Sequence, residues 1–157
     1  MAAADRAALP ALRTIVLEAQ ADLLNRFGLR LCPEAELYVH PDLDSYIAET
    51  GAAWYQVATA RPADCSIDAQ RIRILQDHGG LAYNVRHELY HLAQEEGLER
   101  WKAEGAAELF SGAHDPGAQV LRDVSPLELN ALLAAPPDRE TQQQARQTAV
   151  RWVLHGR

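Results

Sequence analysis

The sequence predicts an α+β fold, and three observations carry that expectation. An apolar stripe at helical spacing runs along the N-terminal segment, three short stretches of strand character follow it, and nearly everything after Gly80 reads as helix. Leu9, Leu12, Val16, Ala19, Leu23 and Phe27 recur in steps of three and four, so Asp5 to Phe27 is expected as one amphipathic helix with Gly28 as its stop. Ala35 to His40 alternates as a strand does. Pro41-Asp42-Leu43-Asp44 breaks it and opens a short helix through Thr50 that Gly51 ends. Ala52 to Ala60 (AAWYQVATA) and Arg71 to Leu75 (RIRIL) read as two further strands joined through Arg61-Pro62-Ala63-Asp64. Asp77-His78-Gly79-Gly80 is a turn, and helices are expected over residues 81–96, 99–111, 125–134 and 138–155. Ser125, with Pro126 next and Glu128 three residues on, and Asp138 are their natural N-caps. The expected architecture is a long N-terminal helix, a small mixed sheet of three or four strands, one helix packed on that sheet and a helical C-terminal part. With no repeat or linker, residues 1–157 are expected as a single domain.

Composition narrows the function. The 157 residues carry 15 Lys+Arg against 22 Asp+Glu, a formal net charge of −7, and so lack the basic face a phosphate-backbone binder needs. Nucleic acid is excluded as an expected partner. No apolar run reaches the roughly 20 residues of a membrane span, and the N-terminal stretch has neither the basic start nor the uncharged core of a signal peptide, so the chain is expected to be soluble. Cys32 and Cys65 can form at most one bridge, match no metal or redox spacing, and are expected as small core residues. Trp54, Tyr55, Tyr90, Trp101 and Trp152 are expected in packing roles. His40 and His78 stand beside turns and are expected to be exposed or capping.

The informative segment is His87-Glu88-Leu89-Tyr90-His91, an H-E-x-x-H pattern within a predicted helix. At about 100° per residue, with His87 at zero, His91 lies near 40° and Glu88 near 100°, one polar face, whereas Val85, Leu89, Leu92 and Ala93 fall between about 140° and 240° and face the core. Two imidazoles one turn apart can bring nitrogens to one Zn²⁺, with the glutamate between them left as a base. A catalytic zinc needs a third protein ligand and an open position. Glu104 and Glu108, four apart on the next predicted helix, supply carboxylates for it. One can bind metal while the other orients a ligand from behind, a duty for which Glu108 is well spaced; the plain alternative is two solvated helix positions. Gly105 beside Glu104 would permit close helix packing.

The run His87-Glu88-x-x-His91 followed by Trp101-x-x-Glu104-Gly105-x-Ala107-Glu108 resembles the gluzincin zinc metallopeptidases, in particular their small peptidase MA-like domains. The resemblance covers residues 81–112, about a fifth of the chain. It implies a minimal zincin-like fold, one Zn²⁺ per chain held by His87, His91 and Glu104, Glu88 as general base, and Glu108 behind the ligands. It also implies a peptide or protein substrate bound along an edge strand, for which residues 52–60 are the expected segment. The sequence departs from the family in one respect: members carry a later tyrosine or histidine that donates to the developing oxyanion, and no tyrosine follows Tyr90. Asn84, one turn before His87, is a candidate cleft residue, and His114, Arg146 and His155 are the remaining candidate donors. The expected function is therefore a zinc-dependent metallopeptidase, with a non-catalytic zinc-binding module, used for structure or partner binding, as the alternative.

Overall fold

In a computed structural model the described residues are 3–156. The chain divides into two compact units, Met1–Gln94 and Glu95–Arg157. The architecture is α+β: α1 (Ala3–Ala7), α2 (Leu9–Asp22) running into a π-helical turn (Leu23–Phe27), β1 (Glu36–Val39), α3 (Leu43–Thr50), β2 (Ala58–Arg61), a 3₁₀ turn (Pro62–Asp64), β3 (Ser66–Ala69), α4 (Ile72–Asp77) and α5 (Leu81–Ala93) in the first unit; α6 (Arg100–Ser111), α7 (Pro126–Ala134) and α8 (Arg139–His155) in the second.

The N-terminal segment is helical, but not as the single helix expected: it breaks at Ala8 and ends in a π-helical turn, and the two ends of its stripe, Leu9 and Phe27, are exposed. Pro10 has no amide hydrogen to continue the first turn, so α1 ends and α2 begins with proline in its opening turn. Leu12, Ala19 and Leu23 are buried, and Gly28 caps the π turn at φ 68°. Asp42 caps α3 by accepting a hydrogen bond from the Ser45 amide at 2.8 Å.

The sheet is mixed and three-stranded, in the order β1-β3-β2, with β1 parallel and β2 antiparallel to the central β3. Two expected strands are corrected. Arg71 to Leu75 is not a strand: Ile72 and Leu75, three apart, are buried as one face of helix α4, while Arg73 faces solvent. The central strand is instead Ser66–Ala69, four buried residues whose polar–apolar alternation, Ser66 and Asp68 against Ile67 and Ala69, is only four residues long and half polar, too short a run to stand out beside the turn residues before it. The expected strand over 52–60 is confined to Ala58–Arg61. Ahead of it the chain turns at Ala53–Gln56, and the Gln70 side-chain amide donates to the carbonyls of Trp54 and Gln56. Trp54 is 67% exposed, contrary to a packing role. Cys32 and Cys65 form a disulfide with Cα atoms 6.1 Å apart, correcting their reading as small core residues, and tie the segment before β1 to the start of β3.

Helix α5 packs on β2 and β3 and against α2, burying Val85, Leu89 and Leu92, the face its periodicity marks. In the second unit Trp101, Leu129, Leu133, Ala145 and Ala149 make a core flanked by Leu121, Val124, Leu132 and Trp152. Ser125 and Glu128 form a complete capping box on α7, and Asp138 caps α8 through the Thr141 amide at 2.7 Å. No helix among the described residues is long and apolar enough to cross a membrane.

Candidate metal centre

Helix α5 puts both histidines of the H-E-x-x-H segment on one side. The turn before it is set by Gly79 and Gly80, both at positive φ, and by the buried Asn84, whose side-chain nitrogen donates toward the carbonyls of Leu75, His78 and Gly80 at 2.9–3.0 Å. Asn84 thus secures the α4–α5 turn, where the sequence offered it as a cleft residue. His78, expected to be exposed or capping, stands at the C-cap of α4, where its amide donates to the Ile74 carbonyl. Tyr83 lies against His87, ring centroids 5.9 Å apart, and Tyr90 packs edge-on against Phe27.

The Nε2 atoms of His87 and His91 face each other 3.1 Å apart. Two nitrogens at that separation both reach an ion about 2.05 Å away and subtend an angle of about 100° there, close to the tetrahedral value that zinc takes. The pair therefore fits a shared cation. His91 Nδ1 is 3.0 Å from Gln94 Oε1, a contact that fixes the ring and its tautomer. Gln94 escaped the sequence reading; its place three residues beyond His91, at the end of the helix, is the signal that identifies it. Between the histidines Glu88 is buried, and its Oε2 accepts a hydrogen bond from the Ala60 amide at 2.8 Å. Gln70 N donates to Val57 O, so Val57, Thr59 and Arg61 bond inward to β3, and Ala60 directs its amide off the edge of the sheet. Glu88 is thereby fastened to an edge strand.

In the second unit, Glu104 and Glu108 lie on one face of α6. Arg146 of α8 reaches both, with Nε 3.5 Å from Glu104 Oε2 and Nη1 3.4 Å from Glu108 Oε1. Glu108 is 2% exposed, far from the solvated position that glutamate usually takes. The close packing expected at Gly105 is present: a Cβ built there would lie 2.6 Å from the Ala149 carbonyl oxygen. His114 and His155 are exposed and line a cavity of about 250 Å³ in this unit together with Asp115 and Arg151. Comparison with protein-family models, with curated proteins and with solved structures finds no match to this chain.

Proposed function

We propose that the protein is a zinc-dependent hydrolase of gluzincin type that cleaves a peptide or a related amide. The observation that carries the reading is the convergence of His87 and His91 Nε2 beside a buried glutamate. Glu104, as the resemblance of its W-x-x-E-G-x-A-E segment implies, is the third ligand. Zinc, when bound, lowers the pKa of a coordinated water and polarises a substrate carbonyl. The rest is work for the chain's own groups. Ala60 N–H holds Glu88 by Oε2 and leaves Oε1 to take a proton and return it to the leaving amine. Gln94 keeps the His91 ring turned so that Nε2 points at the cation. Arg146 neutralises Glu104 and Glu108 in part and keeps their carboxylates in place. An extended substrate would lie along the outer edge of β2.

The test separates holding from catalysis. Glu88→Gln is expected to keep one zinc per chain by elemental analysis while abolishing hydrolysis, and His91→Ala is expected to lose the metal. A wild-type chain that takes up no zinc after reconstitution would overturn the reading. The Arg146 contact to both carboxylates favours a second reading, a zinc module that serves structure or partner binding. Under it, peptides and cell-wall amides are not cleaved and metal spectroscopy finds a fourth protein ligand in place of water.

A further inference from the structure

The sheet has a second face, and it is polar. By strand alternation Glu36 and Tyr38 of β1, Ser66 and Asp68 of β3, and Thr59 and Arg61 of β2 share the side opposite Leu37, Ile67 and Ala60. At its centre the Asp68 carboxylate, 2% exposed, accepts from His40 Nε2 at 2.6 Å and from Arg61 Nε at 2.7 Å. His40 is therefore not the exposed or capping residue that its place beside a turn suggests. Arg61 is spent within the network, since its Nη2 donates to the Glu49 carboxylate at 2.8 Å and to the Glu49 carbonyl at 3.1 Å. Above this floor lies a cavity of about 340 Å³, walled by Tyr38 and His40 on one side and Glu49 and Arg61 on the other, with Asp64 at the rim beside the disulfide.

Two properties of this cavity select its occupant. The carboxylates Glu49, Asp64 and Asp68 outnumber the Arg61 guanidinium and the His40 imidazole together, so the walls carry surplus negative charge. The half-exposed Tyr38 ring offers the aromatic face on which cations settle. A buried ion network stabilises a fold no better than apolar side chains of the same volume, so its presence under an open cavity points to recognition rather than to packing.

We propose that this cavity binds a compact organic cation, a primary ammonium or a guanidinium group, through the Glu49 and Asp64 carboxylates and the Tyr38 ring. The site is independent of the metal centre and is tested without metal. The metal-free full chain is titrated with n-butylammonium and with methylguanidinium at low salt and neutral pH, with sodium butyrate as the anionic control, and the Tyr38 and His40 ring resonances are followed by NMR. Saturable shifts are expected with both cations and none with butyrate. Asp64→Asn, a change at an exposed position, is expected to weaken binding about fivefold, and Tyr38→Ala by a similar factor. A blocked tripeptide with a central lysine, set against its norleucine counterpart, identifies the source: tighter binding than butylammonium assigns the site to basic peptide side chains, and equal or weaker binding assigns it to free amines. Binding of butyrate as strong as that of the cations, no saturable shift with either cation, or cation binding unchanged in both variants would overturn the proposal.

Discussion

Gly105→Ala sets two well-known effects against each other, and the structure decides the sign. In an open helix the change stabilises by about 1 kcal/mol, because glycine loses the most backbone freedom on folding. Gly105, however, sits where α6 crosses α8: the added Cβ would meet the Ala149 carbonyl oxygen at 2.6 Å, its carbon at 2.7 Å and Val153 Cγ2 at 2.9 Å. Two of these three atoms are backbone, so no rotamer change relieves them. The helices must part by about 0.8 Å to restore ordinary contact, in a core already filled by Trp101, Ala145 and Ala149. Overpacking costs about 1–3 kcal/mol, and a clash with rigid backbone falls in the upper half of that range, which leaves a net loss of about 1–2 kcal/mol after the helix gain. For a chain of this length that lowers the melting temperature by roughly 3–6 °C. Urea unfolding followed by far-UV circular dichroism and by Trp101 and Trp152 fluorescence measures it. A Gly105→Ala chain more stable than wild type by about 1 kcal/mol would refute the reasoning, since helix propensity alone would then account for the position.

Further outcomes follow from other contacts. Burial pushes the Tyr46 phenol up to about 12, and its hydroxyl shares a 2.7 Å hydrogen bond with the Thr59 hydroxyl. Its folded pKa lies above the unfolded value near 10, so its contribution of about 2–3 kcal/mol is complete below pH 10 and disappears between about pH 10 and 12. Urea midpoints across that window are expected to fall for wild type, and Tyr46→Phe is expected to remove that component of the fall; equal slopes would refute the assignment. The Cys32–Cys65 disulfide joins residues 33 apart, and replacing both with serine is expected to cost about 3–4 kcal/mol by loop entropy, read from the shift in urea midpoint. Ser125→Ala removes the capping box of α7 and is expected to cost about 1 kcal/mol, with an unchanged midpoint as the contrary result.

Features whose cause is local were legible in the chain. Gly28 and Gly51 stop helices where their positive φ requires a residue without Cβ, and Asp42, Ser125 and Asp138 cap helices through their own side chains. The division of α5 into an apolar side of Val85, Leu89 and Leu92 and a side bearing both histidines follows from helical geometry alone, and it is why the motif could be read. Strands were harder to place. Ser66–Ala69 is buried throughout because it is central, and its polar residues are tolerated only because partners from β1 and β2 arrive to satisfy them. Arg71 to Leu75 alternates like a strand yet also places Ile72 and Leu75 three apart, and packing chose the helix.

The sequence by itself determined most of the helices, their capping residues, and the pairing of His87 with His91 around Glu88, because caps are local and one turn of helix places those residues together whatever surrounds them. Only the tertiary structure decided that Ala60 holds Glu88, that Arg146 bridges Glu104 and Glu108, and that His40, Asp68 and Arg61 form one network under a cavity. Each of those contacts joins groups distant in the chain, and a hydrogen bond or ion pair between such groups depends on strand register and helix crossing, which no local spacing records.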